Sequence, residues 1–345
     1  MQFGIFDHVD DNGEAHGKQL AGRLELIEQI ERLGFYCYHL AEHHGTPLSR
    51  IGATGAFLGA ISQRTTTLRF GPLVYLLPLY HPLHLIEEIA LLDQLSNGRF
   101  QLGIGRGGAP IEHALFGIGP DDLTERFNEV RDILFLGLHP DTTTLNYSGK
   151  YFTLENVPIV TKPVQKPHPP IWYGTAPPES AAWTALHDVN VLSLGPTSRA
   201  KAIGDRYREE WQRLGKSAQA LPMLGLSRRV VVADTDEEAL RIARPAYREA
   251  HAALEWLWKR QGKDLHLTAL MGAEHDDAQR LGTAFAGSPA SVRQWIAAQQ
   301  AESGVNYLAL HMVYGGISKD HAQRSLELFA RDVMPAFTGT AVAAR

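Results

Sequence analysis

The sequence contains one cysteine, Cys37, so no disulfide can form within the chain. This scarcity is typical of proteins from a reducing compartment. No apolar run approaches the ~18 residues that a transmembrane helix needs. The first residues also lack the basic and then apolar segments of a signal peptide. We therefore expect a cytoplasmic protein with no membrane partner.

An excess of charge of one sign is also missing. The 33 Lys and Arg residues against 38 Asp and Glu give a formal net charge of -5, and no basic run stands out. We therefore expect no nucleic-acid partner, although a local basic pocket is compatible with this balance. Hydrophobic residues make up 44% of the 345, enough for one large domain or two smaller ones.

Short apolar segments alternate with helical patterns along the sequence. We predict strands at 3–6, 35–41, 68–77, 99–103, 170–173, 189–194, 227–233 and 307–311. We predict helices at 18–33, 52–63, 82–95, 124–138, from about 178, and at 199–214, 237–261 and 319–329. Eight β–α units predict an α/β fold, a TIM (β/α)8 barrel formed by residues 1–345 as one domain. The open doubly wound sheet is the alternative.

Two segments do not fit this repeat. Residues 139–169 contain Asn146-Tyr147-Ser148-Gly149 and several X-Pro steps, which predict a hairpin excursion with an extended return. Residues 262–288 follow the helix after strand seven and have weak periodicity. A segment of this length is often a lid over a barrel mouth, so we expect a mobile lid insertion, with an ordered surface decoration as the alternative.

A cluster of titratable residues, Glu42, His43 and His44, follows predicted strand two. Barrel enzymes carry their working residues at this end of the strands. Histidine titrates near neutral pH and suits proton transfer, so His43 and His44 are the catalytic candidates, although one of them can point away from the site. A metal site using His39 and this cluster is a weaker alternative, and we predict no metal.

A glycine-rich turn, Gly103 to Gly108 with Arg106 inside it, follows predicted strand four. Its spacing matches the dinucleotide fingerprint but on the wrong strand, so the match is a weak signal. The glycines allow close approach of an anionic ligand, and Arg106 supplies positive charge. The segment Thr175 to Ser180 begins the next predicted helix, and free N–H groups there can bind phosphate. A glycine-rich barrel corner and a plain helix cap are the structural alternatives.

The other predicted strand ends contain many His and Arg residues and few carboxylates. Only Asp7 and Glu42 could form the carboxylate pair that glycoside hydrolysis requires, which disfavours that reaction. The remaining strand-end candidates are His8, Tyr75, Thr175, Gly195, Arg228, Arg229, His311 and Tyr314.

With these motifs, the sequence resembles the bacterial luciferase-like flavin monooxygenases over nearly its whole length. The matching stretches are 34–44, 76–82, 91–100, 102–107, 163–173, 179–180 and 325–335. The resemblance implies a TIM barrel with an insertion after strand seven and reduced FMN supplied by a separate NAD(P)H:flavin reductase. It also implies that O2 reacts at the flavin to give a C4a-peroxide, which inserts one oxygen atom into a small organic substrate.

The resemblance also implies residue roles. His43 matches the catalytic histidine, and a non-prolyl cis peptide falls between Leu73 and Val74. The implied cofactor residues are Glu42, Leu73, Val74, Gly105, Arg106, Gly107, Gly108, Glu179 and Ser180. The predicted substrate residues are Tyr75, Ser227, Arg229 and His311.

Two departures from relatives stand out. Gly105 replaces a thiol found in some luciferases, and Ser227 and Arg229 occupy the strand where alkanesulfonate-type members carry Arg and His. Sulfonate cleavage is therefore in doubt, although Arg229 could meet an anionic substrate. The alternative functions are hydride transfer with the deazaflavin F420 and a non-catalytic flavin-binding subunit. Small residues on helix 52–63, together with the apolar helix 82–95 and the resemblance, predict a homodimer.

Overall fold

A computed structural model describes residues 1–174, 178–265 and 268–338. Its strands are β1 (Gln2–Asp7), β2 (Cys37–Leu40), β3 (Arg69–Pro72), β4 (Tyr75–Leu76), β5 (Leu102–Gly105), β6 (Thr144–Ser148), β7 (Thr153–Pro158), β8 (Ile171–Gly174), β9 (Asn190–Ser193), β10 (Leu224–Val232), β11 (Ala284–Gly287) and β12 (Tyr307–His311). Its helices are α1 (His16–Arg32), α2 (Thr54–Arg64), α3 (Pro82–Leu95), α4 (Pro110–Ala114), α5 (Leu123–Leu138), α6 (Ala181–Leu186), α7 (Thr197–Arg213), α8 (Asp236–Arg260), α9 (Thr268–Met271), α10 (His275–Arg280), α11 (Pro289–Ser303) and α12 (Lys319–Leu328).

The main sheet is a parallel barrel. Its strands follow the order β3-β2-β1-β12-β10-β9-β8-β5-β4. β3 and β4 are two parts of one interrupted barrel strand, and we call each of the eight barrel strands a stave. The Leu73–Val74 peptide bond between these two parts is cis, as the resemblance implies. A parallel bridge between Phe70 and Phe100 joins the β3 side to the β5 side and completes the ring. The predicted TIM-barrel fold is therefore confirmed.

Two apolar layers stabilise the barrel. The outer layer, between sheet and helices, buries side chains such as Ile27, Leu58 and Ile89. A smaller inner cluster contains Phe6, Leu73, Trp172, Leu192, Tyr307 and Ala309. Alternate residues of a strand point to opposite faces, so each stave contributes to both layers. No helix among the described residues is long and apolar enough to cross a bilayer.

The barrel interior also encloses a polar group, His39. Its Nε2 lies 2.7 Å from the Tyr307 hydroxyl, and its side chain is inaccessible to solvent. Burial lowers the pKa of His39 to about 3, because a buried imidazolium loses its hydration. His39 is therefore a neutral residue of the barrel interior.

Several elements differ from the sequence-based prediction. Strand four, predicted at 99–103, lies at Leu102–Gly105, and the residues just before it form only the single bridge between Phe70 and Phe100. The Arg99 guanidinium donates to carbonyl oxygens at 62, 65 and 68. β6 and β7 form an antiparallel hairpin inside 139–169. The 262–288 segment contains α9, α10 and β11, and β11 pairs with the end of β10. Short Ala- and Gly-rich elements lack the periodicity that would reveal them.

Candidate functional site

The adjacent residues His43 and His44 lie in different surroundings. His43 Nδ1 is 2.8 Å from Glu112 Oε1, and its ring stacks on His8 with centroids 5.3 Å apart. His44 Nε2 is 2.9 Å from Glu42 Oε1, and its ring contacts Phe116. The chain therefore directs the two histidines to two separate clusters.

His43 belongs to a row of histidines across three staves, which we call the histidine row: His43, His8 and His311. The ring of His8 stacks between His43 and His311, with a centroid distance of 5.1 Å to His311. His311 Nε2 is 2.8 Å from Ser227 Oγ on β10, and its ring lies 4.5 Å from that of Phe6. The barrel thus brings together the predicted residues His43, Ser227 and His311.

The members of the histidine row differ in their electrostatics. Burial lowers the pKa of His8 well below its ordinary value, and electrostatic repulsion from Arg229 and from the charged forms of His311 and His43 lowers it further. Burial and Arg229 do the same for His311. Burial also disfavours protonation of His43, but the Glu112 carboxylate outweighs it and raises the pKa. His43 is therefore the member of the row that favours the charged form.

The partner of His43, Glu112, was not a sequence-based candidate. It lies on the short helix α4, and its side chain is buried. Oε1 accepts from His43, while Oε2 accepts the backbone N–H of His44 at 3.0 Å. Burial raises the pKa of Glu112, but the facing His43 lowers it more, so the carboxylate stays ionised. Its position just after a glycine-rich turn was a possible signal, but one carboxylate in an irregular segment has no diagnostic spacing.

α4 also supports the glycine-rich turn through its next residue. The ring nitrogens of His113 lie 2.8 Å from the Arg106 carbonyl oxygen and 3.1 Å from that of Ala109. Gly107 has φ +87, and a Cβ there would lie 2.6 Å from the His113 ring. This turn therefore requires glycine at 107. One helix thus contacts both the turn and the His43 side chain.

The turn itself is open toward solvent. Arg106 is exposed, and its Nη1 donates to Thr124 Oγ1 at 2.9 Å. A Cβ built on Gly108 would meet no atom within 4 Å. At Gly105, by contrast, a Cβ would lie 2.4 Å from Val74 Cγ2, so glycine lets the Val74 side chain pack over this strand end. Exposed glycine backbone beside a cation is suited to an anionic group such as phosphate.

The second predicted phosphate contact lies at the start of α6. Pro178–Ser180 forms a single 3-10 turn before α6, with Glu179 exposed and Ser180 partly buried. Thr175, another predicted residue, lies outside the described residues. Both turns follow neighbouring staves, because β5 pairs with β8.

Two further predicted residues, Glu42 and Tyr75, lie in the His44 cluster. Glu42 Oε2 accepts from the Tyr80 hydroxyl at 3.0 Å, and the Tyr75 hydroxyl donates to Glu88 Oε1 on α3 at 2.6 Å. A cavity of about 340 Å³ adjoins this cluster, between the α2 start and α3. The structure therefore groups Glu42 and Tyr75 with His44 and not with the histidine row.

Arg229 completes the histidine-row side of the barrel. Its Cα pairs with that of His311 in the β10–β12 register. The guanidinium lies 5.3 Å from the centroid of the Tyr247 ring and 5.8 Å from that of Tyr314. The arrangement as a whole offers an imidazole paired with a carboxylate, a buried cation and an exposed glycine-rich turn beside Arg106 at the same end of the barrel. Within the described ranges, no three metal-ligating side chains come together.

Comparison with known proteins shows the family of this chain. Residues 1–307 match the luciferase-like monooxygenases. A Sinorhizobium fredii protein, y4wF, is 42% identical over 324 residues, covering 93% of this chain and 92% of the relative. The chain therefore belongs to the luciferase-like monooxygenase family.

Solved structures show the same fold. The monooxygenase RslO1 from Streptomyces bottropensis superposes with a TM-score of 0.87 at 24% identity, covering 98% of this chain and 100% of that one. The oxygenating constituent of 3,6-diketocamphane monooxygenase from Pseudomonas putida, solved in complex with FMN, gives 0.79 at 22% identity, covering 96% and 98%. At these identities the likeness establishes the TIM barrel alone.

Proposed function

We propose that this protein is the oxygenase of a two-component system that uses reduced FMN and O2 to insert one oxygen atom into a small organic substrate. The observation that supports this most is the double contact of α4. Glu112 pairs with His43, and His113 holds the Arg106 turn, so one short helix couples a proton-transfer residue to an anion-binding loop. A flavin mononucleotide has a phosphate for the loop and a reactive ring that requires proton control.

The residues present fit this cofactor. Arg106, Gly107 and Gly108 would hold the phosphate, because the loop is exposed and leaves room beside Gly108. Glu179 and Ser180 would contribute from the neighbouring stave. Leu73 and Val74 would lie near the ring, with Gly105 making room for the Val74 side chain. Reduced FMN, when bound, supplies the electrons that activate O2.

The side chains of this protein would then control protons and water. His43 donates Nδ1–H to Glu112, which leaves Nε2 as the nitrogen that can exchange a proton with a bound group. Burial keeps the pKa values of His8 and His311 low, so both side chains favour the neutral form and do not compete with His43 for that proton. We also propose that the 262–288 segment acts as a lid that limits the access of water.

Binding and oxygen consumption test this function. The purified protein is titrated anaerobically with reduced FMN and, separately, with reduced F420, and O2 is then admitted. We expect reduced FMN to bind and its oxidation by O2 to differ in rate from that of free reduced FMN, with a flavin reductase able to supply it. Binding of F420 and not FMN would favour the hydride-transfer alternative. Binding of FMN with unchanged oxidation kinetics would favour a non-catalytic flavin-binding subunit.

We further propose that the protein is a homodimer through α2 and α3. Leu91 and Leu95, four positions apart and so on one face of α3, are 53% and 46% exposed. Phe116, which lines the cavity between the start of α2 and α3, is 50% exposed. Large exposed apolar side chains concentrated on one face are typical of an interface. Light scattering should give about twice the chain mass of 38.1 kDa, and Leu91→Lys should lower it. A monomer mass for the unaltered protein would contradict the dimer.

A further inference from the structure

Two consecutive arginines of β10, Arg228 and Arg229, have opposite environments. Arg228 donates from Nε to Gln299 Oε1 at 2.9 Å, from Nη1 to the Gly195 carbonyl oxygen at 3.0 Å and from Nη2 to Thr197 Oγ1 at 3.2 Å. Its polar atoms are therefore satisfied by the surrounding α7 and α11 region. Arg229 is the neighbour on the other face of the strand.

Arg229 is nine-tenths buried without a counter-ion. Arg229 is 7% exposed, and its guanidinium makes no ion pair with any acid in 1–174, 178–265 or 268–338. In the same ranges its Nε has no hydrogen-bond partner. Two aromatic rings, Tyr247 and Tyr314, lie against the guanidinium. A buried, unpaired cation is costly, so its retention here requires a reason.

The acids of this region are engaged elsewhere. Asp10 accepts the Gly315 backbone N–H at 2.5 Å, Glu255 pairs with Lys259 at 2.6 Å, and Asp276 pairs with Arg244 at 3.0 Å. None of these carboxylates forms an ion pair with Arg229.

The neighbouring bases and phenols do not balance the charge of Arg229. Burial keeps the pKa values of His8 and His311 low, and burial raises those of Tyr247 and Tyr314. All four side chains are therefore uncharged near neutral pH. Arg229 is therefore the charged member of this group of five side chains.

A second unsatisfied donor belongs to Tyr314, whose ring faces the guanidinium. The Tyr314 hydroxyl is buried and has no hydrogen-bond partner among the described residues. An N–H and an O–H without acceptors, on neighbouring side chains, suit two oxygens of one acid group. The single positive charge suits a monoanion better than a dianion.

We propose that Arg229 and Tyr314 bind a monoanionic oxyacid group, carboxylate or sulfonate, of the substrate. This inference rests on the proposed function, because it assigns the histidine-row side of the barrel to substrate. His43 and the acid site then lie at opposite ends of the row formed by His43, His8 and His311. The substrate is an organic acid whose oxidised carbon lies away from the acid group.

Direct binding to the flavin-free full-length protein tests the assignment. The compounds are benzoate, hexanoate, benzenesulfonate and hexanesulfonate, with benzamide and hexanamide as neutral partners, measured by calorimetry and thermal shift. At least one acid should bind more tightly than its amide. Arg229→Met should weaken that binding about 10- to 100-fold, as loss of a charge-assisted hydrogen bond predicts. Arg229→Lys should retain part of it, and the exposed control Arg241→Met all of it.

Unfolding temperature without ligand provides a second readout. Because Arg229 is unpaired, Arg229→Met should keep or raise the melting temperature, whereas Arg228→Met should lower it. Equal binding of acids and amides, no acid binding, or a marked loss of stability in Arg229→Met would overturn the inference. A loss of reduced-FMN affinity in Arg229→Met, with acid binding unchanged, would also overturn it. Acid binding in a protein that does not use reduced FMN would support the acid site and refute the proposed function alone.

Discussion

Glu112→Gln is the substitution that most directly tests the electrostatics of the site. Glutamine keeps the size of the side chain and one acceptor oxygen but removes the charge that faces His43 Nδ1 at 2.8 Å. In the unaltered protein that charge overcomes burial and raises the pKa of His43. Without it, burial dominates, and the pKa should fall below the ordinary value of about 6.5.

The magnitude follows from the distance and the burial. A carboxylate in contact raises the pKa of a histidine by about 1–3 pH units. Glu112 is 4% exposed, so solvent screens the pair little. We therefore expect the pKa of His43 to fall markedly in Glu112→Gln. Above the new pKa, any step that needs the imidazolium should slow about tenfold for each unit lost.

Histidine side-chain NMR across a pH titration measures this change directly and needs no substrate. The matched control is Glu129→Gln, another buried acid, whose oxygens accept the N–H groups of Tyr151 and Phe152 and contact no histidine. That variant should leave the His43 titration unchanged. If His43 titrates at the same pH in Glu112→Gln as in the unaltered protein, the ion pair is not what sets its pKa and the reasoning is wrong.

Three further outcomes are expected. Arg106→Ala should weaken reduced-FMN binding about tenfold or more in an anaerobic titration, because it removes a charge-assisted contact; unchanged affinity would remove Arg106 from the site. Acid should destabilise the fold, because unfolded His39 gains a proton near its ordinary pKa while the folded residue resists it down to about 3. Urea unfolding should therefore show a loss of about 2 kcal/mol from His39 alone between about pH 7 and pH 5, and a flat profile would contradict this. Tyr247→Phe loses bonds to carbonyl oxygens at 271 and 272, so amide exchange in 268–272 should accelerate up to about tenfold. Tyr207→Phe is the control and should accelerate exchange in 184–189 instead. Equal exchange of 268–272 in the two variants would show that the Tyr247 hydroxyl does not stabilise that segment.

Much of the barrel follows from the sequence alone. Strand eight, predicted at 307–311, is β12 (Tyr307–His311), and the helix predicted at 82–95 is α3 (Pro82–Leu95). These elements were predictable because buried strands and amphipathic helices have local periodic patterns. The end of the barrel that carries the candidate residues was predictable too, because the parallel β–α order puts the carboxyl ends of all barrel strands on one side.

The tertiary structure alone decided which candidates meet. His43 and His44 are adjacent in sequence, yet one faces Glu112 and the other Glu42. Glu112 follows His43 by 69 positions, on a short helix without a periodic signal. The unsatisfied state of Arg229 likewise depends on where each acid of the neighbouring elements finds its own partner. Contacts of this kind depend on the packing of side chains from distant segments, and no local pattern encodes that packing.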